Sequence, residues 1–296
     1  MNENAIEIHD LTKKRGKFSI QDLSLTLPKG CIMGLVGENG AGKTTLIRLI
    51  LGALQKDGGS IAVLGRESGG KDFRSVKEDI GVVPDEIGFP YSMNAKLVGS
   101  VMRRTYKKWD EALYEKYLAD MSLPATQPFK DYSRGMKMKL GIAVALSHRP
   151  QLLILDEATN GLDPVARDEA VTAFGEFTRD EGHAVLISSH IVGDLEKICD
   201  YIAFLHKGKL LLCEEKDALL EKYGVLRCPK ETLSGLPEGA VCGKRESPYG
   251  VEALVRRDLL PEGMPVSNVS LEELFVFMVK GNGAAETASF EEDFFA

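Results

Sequence analysis

The chain's 296 residues, 44% hydrophobic and 27% charged, leave room for one full-sized core and a smaller second domain, and the mean hydropathy of -0.11 is that of a water-soluble globular protein rather than a fibrous, disordered or membrane-embedded one. A formal net charge of -7 argues against nucleic acid as a partner, because phosphate-backbone binding normally leaves a basic footprint. Five scattered cysteines without a C-x-x-C pair read as reduced cytosolic thiols, not as a zinc or redox site.

Met-Asn-Glu-Asn opens the chain without the basic and apolar regions of a signal peptide, and no apolar run approaches the ~20 residues that span a bilayer. The chain is therefore expected in the cytoplasm, with any membrane role supplied through another chain. The first predicted elements are strands. Ile6 and Ile8, then Leu23, Leu25 and Leu27, alternate with polar residues, the two-residue period of an antiparallel sheet with one buried face. Cys31 to Val36 predicts a further strand, running into a glycine-rich loop and a helix from Lys43 to about Ala53. From about 86 to 146 the chain reads as mostly helical, a lobe outside the sheet. Short apolar runs at Leu152–Leu155 and Ala184–Ile187, separated by helix-length segments, repeat the strand-helix-strand rhythm of a parallel sheet covered on both faces.

The fold class that follows is α/β: a parallel sheet with an antiparallel β subdomain, a helical subdomain and a small C-terminal α/β appendage. The boundaries predicted are 1–222 for the larger domain, whose helical subdomain runs over about 86–146, and 223–282 for the appendage, which holds a strand-like Val251–Val255 and an apolar helix near Leu271–Val279. Residues 283–296 form an acidic tail with Phe290, Phe294 and Phe295, read as a frayed terminus or a docking peptide.

The strongest chemical signal is Gly37-Glu38-Asn39-Gly40-Ala41-Gly42-Lys43-Thr44, a G-x-x-x-x-G-K-T between a strand and a helix. Glycines allow a concave nest of backbone N–H groups which, with the dipole of the following helix, holds phosphate oxygens. Lys43 is expected to reach the β- and γ-phosphates of ATP, the Thr44 hydroxyl to ligate Mg²⁺, and Thr45 to line the same helix end. A second signal is Asp156-Glu157, two acids closing an otherwise apolar run. At the carboxyl end of a parallel strand beside the phosphate loop, Asp156 is placed to hold Mg²⁺ through water and Glu157 to take a proton from the attacking water.

Joined to Tyr132-Ser133-Arg134-Gly135-Met136, Asn160-Gly161-Leu162-Asp163-Pro164 and Ser188-Ser189-His190, these motifs resemble in order and spacing the ABC-transporter ATPases, over roughly residues 3–220. The resemblance implies a head-to-tail dimer, with itself or with a paralogue, in which the signature segment of one subunit closes over the γ-phosphate held by the other. Ser133 and Gly135 would then face the partner's nucleotide, Asp163 would be the D-loop aspartate and His190 the switch histidine. Ser133 also reads locally as a helix N-cap, and Asp163 before Pro164 as an ordinary helix start.

Three departures stand out. The signature reads YSRGM where the family usually has LSGGQ. Where relatives place an aromatic residue on adenine, this chain offers Arg15, with Phe18 as the substitute. The glutamine that in the family senses Mg²⁺ is replaced by Asp85, an acid of shorter reach that is still able to ligate magnesium. Together with the C-terminal appendage, these features resemble a branch in which a one-piece ATPase serves a separately encoded membrane permease, including bacterial drug, peptide and bacteriocin exporters. The implied cycle has ATP drawing two subunits together and hydrolysis releasing them, with the cluster Phe89, Pro90, Tyr91, Met93 and Leu97 passing motion to the permease or packing on its own lobe. The rival readings are an ABC ATPase without a transporter and a nucleotide-gated regulatory module that hardly cleaves ATP.

Overall fold

The computed structural model of the chain describes residues 3–160, 162–247, 250–261 and 263–281, so the acidic tail predicted at 283–296 lies outside them. Alternating apolar side chains build strands β1 (Asn4–Arg15) and β2 (Phe18–Pro28), which pair antiparallel with Arg15 opposite Phe18. Gly16 makes this tight turn with a φ of 60°. Strand β3 (Ile32–Val36) is buried along its whole length and leads into helix α1 (Lys43–Ile50). That helix stops short of the predicted Ala53 because Gly52 turns left-handed at φ 63°, and Ala53 donates back to the Arg48 carbonyl at 2.9 Å. Strands β4 (Gly58–Val63) and β5 (Arg66–Glu67) complete a four-stranded antiparallel sheet in the order β2-β1-β4-β5.

Helix α2 (Phe73–Val76) precedes β6 (Ile80–Val83), and the lobe follows as α3 (Ala95–Thr105), α4 (Glu111–Asp120) and α5 (Arg134–Ser147). Its first helix begins at Ala95 rather than at 86, because Asn94 caps it by accepting the Leu97 N–H at 3.0 Å. The lobe has its own apolar cluster, including Tyr114, Phe129, Tyr132 and Leu140. The aromatic cluster expected to face a partner divides: Phe89 and Met93 pack on this core, whereas Tyr91 and Leu97 are exposed.

The remaining elements of the central sheet are β7 (Leu152–Asp156), α6 (Pro164–Phe177), β8 (Ala184–Ser189), α7 (Val192–Ile198), β9 (Tyr201–His206) and β10 (Lys209–Glu215). The order is β10-β9-β3-β8-β7-β6, and the neighbours β9, β3, β8, β7 and β6 run parallel. Parallel strands end on the same side, so the loops after β3, β6, β7 and β8 meet along one edge. The core beneath them joins Met33, Leu35, Leu46, Ile50, Ile154 and Leu186 to the buried faces of β1 and β2.

By its contacts the chain divides into two compact units, Met1–Ile191 with Lys197–Cys213, and Val192–Glu196 with the chain from Glu214. The second unit contains α8 (Lys216–Lys222), β11 (Tyr223–Cys228), α9 (Lys230–Leu233), β12 (Val241–Ser247), β13 (Gly250–Arg256), β14 (Val266–Ser267) and α10 (Leu271–Gly281). Its strands form an antiparallel sheet in the order β12-β13-β11-β14. Helix α10 starts with a reciprocal cap: Ser270 Oγ accepts the Glu273 N–H at 3.2 Å and the Glu273 carboxylate accepts the Ser270 N–H at 3.1 Å. Gly243 lets the helix close on β12, since a Cβ there would lie 2.8 Å from the Phe277 carbonyl. Among the described residues, no helix is long and apolar enough to cross a membrane.

Candidate nucleotide site

The loop Gly37 to Gly42 follows β3 directly, and two of its glycines have local reasons. A Cβ on Gly37 would strike the Leu205 carbonyl at 2.5 Å, and one on Gly42, where φ is 115°, would lie 2.6 Å from the tip of the Phe18 ring. Lys43, only 6% exposed, donates to the Gly37 carbonyl at 2.6 Å and the Glu38 carbonyl at 3.4 Å. Its third neighbour is Glu157 Oε1 at 3.2 Å. An ammonium buried this deeply needs anionic company, and a carboxylate supplies it.

Glu157 adopts a left-handed φ of 54°, unusual for a side chain of its size, which turns its carboxylate into the cavity immediately after the end of β7. Its second oxygen, Oε2, lies 2.7 Å from His190 Nδ1. With Glu157 ionised, this bond needs the ring hydrogen on Nδ1. Asp156 accepts from Thr44 Oγ1 at 2.8 Å and from Ser188 Oγ at 2.6 Å. Ser188 in turn accepts the Glu157 N–H at 3.2 Å on its hydroxyl, and its carbonyl takes the same N–H at 3.1 Å. Ser188 is thus a site residue that motif reading passed over, although it stands in register with Asp156 across the sheet. The signal was present in Ser188-Ser189 at a buried strand end, where hydroxyls need partners.

A cavity of about 210 Å³ is lined by Glu38, Asn39, Gly40, Gly42, Lys43, Thr44 and Thr45, with Asp85, Glu157 and Phe18. Buried Ala41 braces the loop from behind, its carbonyl accepting the Gly208 N–H at 2.9 Å. Arg15 is exposed and does not line this cavity, whereas the Phe18 ring forms one of its walls, against Gly42. Asp85 reaches the rim, where Arg134 Nη2 lies 3.5 Å from its Oδ1. The magnesium expected here fits the donor set, an oxygen pair from Thr44 and Asp156 beside an anion-shaped nest, since Mg²⁺ is typically held by one or two carboxylates plus substrate phosphates.

The remaining predicted residues lie apart from this cavity. Ser133 caps α5 by accepting the Met136 N–H at 3.2 Å, and Gly135 sits in that helix's first turn. Asp163 caps α6 by accepting from Val165 and Ala166 at 3.1 and 3.0 Å, and these bonds, the one from Ala166 foremost, hold its carboxyl below the usual range.

The ABC transporter family profile matches residues 20–160. The lantibiotic transport ATP-binding protein SrtF of Streptococcus pyogenes is 36% identical over 213 residues, covering 72% of this chain and 91% of its own. The chain belongs to the ABC transporter ATP-binding proteins. This ABC ATPase is also 33% identical over 297 residues to YhcH of Bacillus subtilis, an uncharacterized ABC transporter ATP-binding protein, with 93% of this chain and 96% of YhcH covered, so that likeness extends through the second unit. A solved ATP binding subunit of an ABC transporter matches with a TM-score of 0.66 at 25% identity, over 73% of this chain and 91% of that one. The ABC ATPase is an ATP-binding and ATP-hydrolysing transport subunit, with the phosphate-loop NTPase fold that the motif order predicted.

Proposed function

We propose that the ABC ATPase powers export of peptide or drug-like cargo through a separate membrane-spanning permease, working in the cytoplasm at the inner face of the membrane. Support for the cargo class comes from SrtF, whose name carries lantibiotic transport. The observation that carries the chemical reading is Glu157 between Lys43 and His190, with Asp156 bonded to Thr44 one residue away.

In this reading the nest of Gly37, Glu38, Asn39, Gly40, Ala41 and Gly42 takes the phosphates, and Lys43 leaves Glu157 for their β- and γ-oxygens. Thr44 and Asp156 would hold Mg²⁺, with Asp85 on the same cavity as a further acid, and the metal would supply neutralisation of phosphate charge. Glu157, released by Lys43 but still oriented by His190, takes the proton of the attacking water. Phe18 stacks on the base in place of Arg15, and Thr45 closes the helix end.

Within one chain the cavity lacks a cover on the γ-phosphate side. Ser133 and Gly135, at the start of α5, suit that role when contributed by a second copy or a paralogue, because a helix N-terminus presents N–H groups to an anion, whereas Asp163, a carboxylate already holding the Val165 and Ala166 N–H groups, would border the same seam. A groove of about 610 Å³ beside the lobe, walled by Phe89, Pro90, Tyr91 and Phe129, suits a segment of the permease. Residues 1–222 then perform the chemistry and 223–282 form an appendage.

The test is a magnesium-nucleotide titration of the intact chain and of Lys43→Ala, followed by extraction of the chain from its native membranes with whatever proteins accompany it. Tight binding that Lys43→Ala abolishes, and co-purification with a multi-span protein, support the reading. Equal affinity of the two chains would remove it, and co-sedimentation with ribosomes would redirect it to a non-transport ATPase.

A further inference from the structure

The two positions at which this chain departs most from its family's motifs, Asp85 and Arg134, are bonded to each other, although 49 residues separate them in sequence. Asp85 lines both the nucleotide cavity and the groove beside the lobe, while Arg134 lines the groove alone. Strand β6 ends at Val83 in register with Leu155, and Asp85 and Glu157, each two residues further along its chain, both line the nucleotide cavity.

The loop carrying Asp85 is pressed onto α5 where that helix has Gly141. A Cβ there would lie 2.5 Å from the tip of the Ile87 side chain and 3.5 Å from that of Val83, so the side chains on either side of Asp85 seat on the bare helix at Gly141. Their ion pair is 3.5 Å long, with side chains 53% and 59% exposed, and neither makes another ion pair among the described residues. Lys137, the next cation along the helix, lies 5.1 Å over the Phe129 ring instead of at Asp85. The aspartate side chain is short and carries a single negative charge, so a guanidinium bonded to it in the groove weakens its hold on a metal at the nucleotide, and the metal weakens its hold on the guanidinium.

We infer that Arg134 is a positioning residue that competes with the nucleotide-bound metal for Asp85, so that the signature helix is held by its own subunit until that subunit's site fills. The inference rests on the nucleotide reading above. It assigns the arginine of YSRGM a role inside its own subunit, and it ties the start of α5 to the magnesium position through one exchangeable bond.

The experiment follows binding of a fluorescent, non-hydrolysable ATP analogue to the intact chain as magnesium is titrated from zero. Loss of an exposed ion pair corresponds to a change of about two- to fivefold, so Arg134→Ala should lower the magnesium midpoint by about that factor. Arg134→Lys should return it toward the original, and binding in EDTA should be the same for all three chains. In the Asp85→Asn background, Arg134→Ala should shift nothing. An unchanged midpoint for Arg134→Ala, or an equal shift in the Asp85→Asn background, overturns the competition. Failure of the unaltered chain to bind the analogue at all would instead sink the nucleotide reading.

Discussion

Two carboxylates in this molecule each stand between two cationic or basic side chains, one in each unit, and only their surroundings differ. Glu157 lies between Lys43 and His190 with its side chain 11% exposed and Lys43 6% exposed. Glu252, on β13, accepts from Arg227 at 2.8 Å and from Arg245 at 2.9 Å, but those arginines are 58% and 53% exposed. Water screens the second group, so its geometry contributes little; burial makes each partner of the first strongly dependent on the others, so an anion that draws Lys43 away changes the surroundings of Glu157. A carboxylate between two basic groups is thus a screened surface cluster in one place and a buried one beside the phosphate loop in the other.

The contrast is broken most directly at Glu157. Glu157→Gln keeps the shape but not the base, and phosphate release should fall by about 10²–10⁴-fold while magnesium-nucleotide binding persists. Unchanged turnover would put the buried carboxylate on a par with Glu252. Ser188→Ala sharpens the comparison by removing a neutral support, the hydroxyl shared between Asp156 and the Glu157 N–H. Loss of these buried bonds should lower turnover by about tenfold with the fold intact, as read by kcat beside thermal unfolding.

A smaller effect is expected at the wall of the cavity. Phe18→Ala should weaken ATP binding by about three- to tenfold through lost stacking, and Arg15→Ala should leave it unchanged; the reverse order in a nucleotide titration would return the base to Arg15. The smallest belongs to the exposed group. Arg227, then Arg245, hold the Glu252 carboxyl below its ordinary value of about 4.5, so what stability the group adds is present above that value and is lost as pH falls through the lowered one. Urea unfolding of Glu252→Gln should differ from the parent by roughly a few tenths of a molar at pH 7, and by less at pH 3. A large difference at neutral pH would show that exposure does not govern these two sites as argued.

Much of the fold was legible in the order of its runs. The antiparallel β1 and β2, the buried β3, β7 and β8, and the helical lobe each follow from a repeat visible within a dozen residues. The nucleotide loop was legible for the same reason, since its glycines, Lys43 and Thr44 are neighbours along the chain. Phe18 over Arg15 was not, because the two are direct partners across the hairpin, and only the packing of the Phe18 ring against Gly42 puts it on the cavity. Nor was Ser188, whose role exists only because β8 lies beside β7.

By itself the sequence determined the phosphate loop and the acid pair closing β7, because each depends on spacing within one segment, and the family, because it depends on the order of such segments along the chain. Only the tertiary structure decided that Glu157 bridges Lys43 to His190, that Ser188 supports Asp156, and that Arg134 meets Asp85. Those contacts join residues tens of positions apart, and strand order and helix packing, which no local pattern encodes, bring them within bonding distance.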